Sequence, residues 1–189
     1  MPTESFYQNY VQVVADARLC LEKKLLMPAL ILIYTLMDSY AWATSEKKSN
    51  DVRRRFEEWT DKWVLSQKTL LCTATELFAA RCAVLHTLTS QAELTKSGKA
   101  RQVTYAWETA DSAQLQASLD ALGKKNVVAI HVNDLFDAVC EAMDAVTEGS
   151  RKDKTLEKRL KEAANLHFAS MDKETVAQFL KRVHGASNV

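Results

Sequence analysis

The sequence predicts a mainly α-helical fold, and three observations carry that prediction. Among 189 residues only four are Gly and two are Pro, so turn-formers are scarce. Ala, Leu, Lys and Glu, all strong helix formers, are abundant. Apolar residues recur at three- and four-residue spacing along most of the chain. The expected architecture is one domain over residues 1–189, a helical bundle with a small two-stranded β-ribbon.

The first helix is expected over 4–25, where Tyr7, Tyr10, Val11, Val14, Ala17, Leu21 and Leu25 share helical spacing. Pro28 marks a boundary and suits the first turn of a second helix. That helix runs to about Thr44 and is apolar nearly all round, as a central bundle helix should be. TSEKKSN reads as a loop. Asn50 or Asp51 can cap a third helix, with Phe56, Trp59, Trp63 and Val64 on its apolar side and Arg53, Arg54 and Arg55 outside. A fourth helix is expected over about 69–88, TLLCTATELFAARCAVLHTL, with its polar groups in the later turns.

After residue 90 the pattern changes. QAELTKSGKA is a loop turning at Gly98. RQVTYAW alternates, and NVVAIHV is a second β-branched run, so ribbon strands are expected at about 101–107 and 127–132. Between them, 111–122 reads as a helix ended by Gly123. Asn133 or Asp134 can cap a helix over 134–148, EGSRKDK is a polar break, and helices follow at 154–168 and 172–183.

The formal charge is +1, so no global field draws the chain to nucleic acid, and any RNA contact needs a local patch. Cys20, Cys72, Cys82 and Cys140 are far apart without a CxxC, and the N-terminus lacks the regions of a signal peptide. Free thiols in a reducing cytoplasm are the expectation. The longest apolar run, ALILIYTLM at 29–37, stops at Asp38. It falls short of the roughly 20 residues a bilayer needs, so a core helix and no membrane partner are expected.

Helix four offers Glu76, Arg81, Cys82 and His86. Arg81 and His86 are five residues apart, which is about 140° of rotation and about 7.5 Å of rise. They do not share one face, so either the long Arg side chain swings round or two copies of the helix supply the groups jointly. Asp38 is a lone acid in the most apolar helix and needs a partner. Arg81 can be that partner if helices two and four are neighbours, as a structural ion pair or as support for an active Arg. Cys82 and His86 share a face, but no second Cys/His pair has ligand spacing, so neither metal nor cofactor is expected. Two basic clusters could grip phosphates: Arg53, Arg54 and Arg55 with Lys47 and Lys48, and Lys96, Lys99 and Arg101 just after the motif helix. The second lies nearer His86 in the chain. Trp42, Trp59, Trp63 and Trp107 read as core, and His131, His167 and His184 as structural or exposed.

The segment ELFAARCAVLHTL holds an Arg, four residues and a His, late in a helix that follows apolar bundle helices. This resembles the signature of the HEPN superfamily (higher eukaryotes and prokaryotes nucleotide-binding domains). SGKARQVTYAW, with the β-branched run and helix after it, is similar to a bacterial branch of that superfamily. The likeness spans about residues 5–150. It implies a metal-independent endoribonuclease whose two protomers pair to build one composite site, with Arg81 and His86 as the catalytic residues. It also implies a role in stress or phage defence and a cognate antitoxin or regulator as a further partner. Family members often carry Asn, Asp or His right after the Arg, where this chain has Cys82. That departure favours the alternative, a catalytically inactive helical module binding RNA or protein.

The chemistry needs few residue types. RNA brings its own nucleophile, the 2′-hydroxyl. His can take its proton or protonate the leaving 5′-oxygen. Arg can meet the charge of a phosphorane-like transition state with a two-pronged fork.

Overall fold

A computed structural model of the protein describes residues 2–46, 51–166, 176–178 and 180–181. It opens with α1 (Pro2–Glu22), which turns at Lys24 (φ 59°) into α2 (Leu26–Thr44). α2 is the central helix. Leu30, Ile33, Tyr34, Leu36, Met37 and Tyr40 are buried along it, and it packs on α1 and on four helices that follow. By length and composition alone α2 is long and apolar enough to cross a bilayer, and half of its most apolar window is buried inside the protein. The helix is thus longer than the apolar run within it.

Asp51 caps α3 (Val52–Trp59), its carboxylate accepting from Arg54 N at 3.0 Å. The helix then widens into a π-helical turn, Thr60–Val64. The motif helix, α4 (Ala74–Thr87), begins later than the spacing predicts. Thr73 Oγ1 accepts from Glu76 N at 3.2 Å, and Glu76 Oε2 accepts from Thr73 N at 2.9 Å. This capping box satisfies the first free N–H groups and contributes about 1 kcal/mol, so the helix starts there and not at 69. A short α5 (Glu93–Lys96) follows.

The predicted ribbon is a parallel pair. β1 (Gln102–Ala106) and β2 (Val127–His131) run side by side, Gln102 opposite Val127 and Ala106 opposite His131. The crossover between them is α6 (Ser112–Ala121), capped by Asp111. Parallel strands need such a crossover, and a helix of this length supplies it. β1 packs on α4, and Val128, Ala129 and Ile130 of β2 are buried.

β2 leads straight into α7 (Val132–Lys152), so neither Asn133 nor Asp134 caps it. His131 does, with Nδ1 accepting from Asn133 N at 3.2 Å. The polar break predicted at EGSRKDK does not interrupt this helix until Asp153. Gly149 lies where a Cβ would come within 3.3 Å of the Trp63 ring, so it serves close packing rather than a turn. Asp153 caps α8 (Lys154–Ala164), accepting from Thr155 N and Leu156 N. α8 ends short of the predicted 168. Of the helix expected at 172–183, residues 176–178 and 180–181 are helical and the rest lie outside the described residues, as do Lys47, Lys48, His167 and His184.

Three of the four tryptophans pack against the core as expected. Trp42 does not: it is 42% exposed on the outer side of α2.

Candidate functional site

α2 and α4 are neighbours, and an ion pair joins them. Arg81 donates from Nε to Asp38 Oδ2 at 2.7 Å, and its Nη2 donates to the same oxygen. Asp38 is 23% exposed and Arg81 13%, so this ion pair sits at the edge of the core. Burial opposes the guanidinium charge, but the hydrogen bonds and charge of Asp38 outweigh it and hold the Arg81 pKa above its ordinary value. The partner the sequence left conditional for Asp38 is therefore the one it has.

The same guanidinium reaches His86. Nη1 lies 2.9 Å from His86 Nε2. Arg can only donate, so Nε2 accepts, and the ring proton sits on Nδ1 in this arrangement. Within one chain the long Arg side chain does swing round to bridge the five-residue spacing. The Arg81 Cζ also lies 5.9 Å from the centre of the Phe78 ring, and Nη1 lies 3.8 Å from Cys82 Sγ. Cys82 is half-buried rather than fully enclosed, and His86 is exposed at the C-terminal end of α4. Beyond it Leu88 takes a left-handed conformation (φ 51°) that closes the helix.

Asp38, Arg81, Cys82 and His86 thus form one cluster. Arg101 belongs to another. Its Nε donates to Glu76 Oε1 at 2.5 Å, and its Nη2 donates to Glu76 Oε2 at 3.1 Å and to the Leu71 carbonyl at 3.0 Å. Glu76 lies ten residues before His86 on α4, about 15 Å along the axis. Glu76 is only 5% exposed. Burial would raise its pKa, but the Arg101 bonds and the Thr73 backbone N–H lower it further, and the carboxyl is held below its usual range. Lys96 and Lys99 are exposed near Arg101 in the chain. The Arg53 and Arg54 side chains pair along their own helix with Glu57 and Glu58, at 2.9 and 2.6 Å.

One linkage has no sequence signal. The Tyr34 and Tyr105 hydroxyls meet at 2.5 Å, tying α2 to β1 one turn before Asp38. Burial pushes both phenols up, Tyr34 well above its ordinary value. A tyrosine inside an apolar helix could hint at a polar partner, but not at which one. Burial also lifts the nearby Cys72 thiol to about 12, which leaves it unreactive at neutral pH. Among the described residues no three His, Cys, Asp or Glu side chains gather as metal ligands.

Fold and site together define a mainly α-helical protein with a parallel βαβ insertion and an acid-braced Arg–His pair at a helix surface. No family model matches the chain, and no curated protein or solved structure is significantly similar to it.

Proposed function

We propose that this protein is a metal-independent endoribonuclease of HEPN type that acts as a homodimer in the cytoplasm, with Arg81 and His86 at its centre. The observation that carries the reading is the 2.9 Å contact between Arg81 Nη1 and His86 Nε2 at a solvent-facing position. Asp38 grips Arg81 from behind and limits where the guanidinium can point. A substrate phosphate competes with His86 for the Nη1 proton. Once Arg81 turns to the phosphate, the Nε2 lone pair is free to take the 2′-hydroxyl proton. Attack on the adjacent phosphorus then expels the 5′-oxygen and leaves a 2′,3′-cyclic phosphate. The proton for that leaving oxygen comes from a second imidazole or from water. A paired protomer would bring the second imidazole.

The outer faces of α2 and α4 support pairing. Ile31, Thr35, Asp38 and Trp42 line one, and Thr75, Phe78, Cys82 and Leu85 the other, each at alternating three- and four-residue spacing. That spacing suits helix-on-helix packing with a second copy. Light scattering at micromolar concentration should give twice the 21.3 kDa chain mass, and Trp42→Glu should shift it towards one. A wild-type protein at the single-chain mass under all conditions removes the composite site.

The direct test is a gel assay on a mixed single-stranded RNA pool in EDTA. Cleavage that leaves cyclic phosphate ends and is indifferent to the chelator is the expected result. A strict requirement for a divalent ion, or no cleavage of any RNA, defeats the enzymatic reading. The second reading, an inactive module binding RNA or protein, is favoured by one observation: three of the five Arg81 N–H donors are already used by Asp38 and His86.

A further inference from the structure

The parallel pairing of β1 and β2 brings together two basic segments that lie far apart in the chain. In register, Gln102 stands opposite Val127, so the residues entering both strands emerge at one edge of the sheet. Gln102 N donates to Asn126 O at 2.8 Å, which ties the entering segments to each other directly. One segment carries Lys96 and Lys99, the other Lys124 and Lys125, and all four are exposed. Among the described residues none of the four has a side-chain hydrogen bond or ion pair. Gly98 (φ 72°) and Gly123 (φ 69°) turn the chain into each strand, and a Cβ at either would meet nothing within 4 Å, so both turns stand in open space. The nearby acids are fewer. Asp120 is held by Gln116 Nε2 at 2.9 Å, Glu93 opens α5, and Glu76 is neutralised by Arg101. An antiparallel ribbon would have put Lys124 and Lys125 beside Ala106, about 15 Å away, and split the cluster.

We propose that Lys96, Lys99, Lys124 and Lys125, gathered at the entering edge of the parallel strands, form the surface that grips the phosphate backbone of single-stranded RNA. The proposal rests on the reading of RNA as substrate, but not on cleavage. Arg101 frames this surface without serving it, because its guanidinium is bound to Glu76. That bond ties the segment carrying Lys96 and Lys99 to the start of α4, and His86 lies about 15 Å further along the same helix from Glu76. Lysine suits such a surface, because a mobile point charge holds a backbone without reading its sequence.

The test is fluorescence anisotropy of labelled oligouridine against salt, in the His86→Ala background so that the RNA stays whole. Lys96→Gln/Lys99→Gln, Lys124→Gln/Lys125→Gln and the quadruple variant are compared, with Lys152→Gln/Lys158→Gln as a control elsewhere on the surface. Each patch pair should weaken binding, and the quadruple variant should lose at least about tenfold in affinity at moderate salt. The slope of log affinity against log salt should fall by about 0.7 for each lysine removed. This outcome supports the patch even if the wild type cleaves nothing. Unchanged affinity and slope in the quadruple variant overturn it even if the wild type is an active nuclease. Wild-type protein that binds anionic phosphatidylserine vesicles or an acidic peptide, but no RNA, also overturns it.

Discussion

His86→Ala is expected to lower RNA cleavage by about 10²–10⁴-fold while leaving the thermal midpoint where it was. The size follows from losing one positioned acid–base group. The unchanged stability follows from position: His86 is exposed near the end of α4, and its ring makes one hydrogen bond, to Arg81. Arg81→Ala should cost a similar factor in rate but also some stability, about 1–2 kcal/mol, because it leaves Asp38 without its cation. Water reaches Asp38, which keeps that cost below the value for a fully buried pair. Arg81→Lys keeps the charge and loses the fork, so it should recover stability better than activity. Rates on a defined RNA and circular dichroism melts on the same samples check all three. Full activity in His86→Ala would place the chemistry elsewhere or in a contaminant.

Arg101→Met should lower the melting temperature more than any change at the Arg–His pair. It leaves the Glu76 carboxylate, 5% exposed, without its partner at the foot of the motif helix. Breaking a buried pair costs about 3–5 kcal/mol, and the 39% exposure of the Arg101 side chain reduces this to about 2–3 kcal/mol. For a chain of this length that is a drop of roughly 5–10 °C. The pH dependence gives a sharper signature. In the wild type the Glu76 pKa is held down, so its contribution is complete above the unfolded value near 4.3 and is lost as pH falls through the folded value. In the variant the guanidinium no longer opposes burial, so the Glu76 pKa rises from its wild-type position. The gap between the two proteins should therefore be widest at neutral pH and narrow as the pH falls through the carboxylate range. Melts at both ends of that window test it. A gap that is absent, or equal at both, would return Arg101 to the phosphate-binding role its sequence position suggested.

The helices that pack apolar residues into the core were legible because periodicity is local: α1, α2 and the body of α7 lie close to where the spacing puts them. Their ends were less so. α4 starts where Thr73 and Glu76 satisfy each other, and α7 runs through Gly149 because Trp63 lies against it. A polar stretch looks like a break until the ring that fills the space is known. Trp42 departs from its expected core position for a related reason, since hydrophobicity says nothing about which side of an apolar helix stays uncovered.

At the candidate site, residue types were readable and connections were not. Composition and spacing by themselves determined a mainly helical chain, a lone acid at Asp38, and an Arg and a His late on one helix, because each is a property of neighbours along the chain. Only the tertiary structure decided that Asp38 meets Arg81, that Arg81 reaches His86 within one chain, and that Arg101 neutralises Glu76. It also decided that the strands run parallel, which sets Lys124 and Lys125 beside the entry to β1. Those are contacts across 43, five, 25 and about 25 residues. The long ones depend on how helices and strands pack. The five-residue one depends on an ion pair and a ring that position a flexible side chain, and neither is written in the spacing.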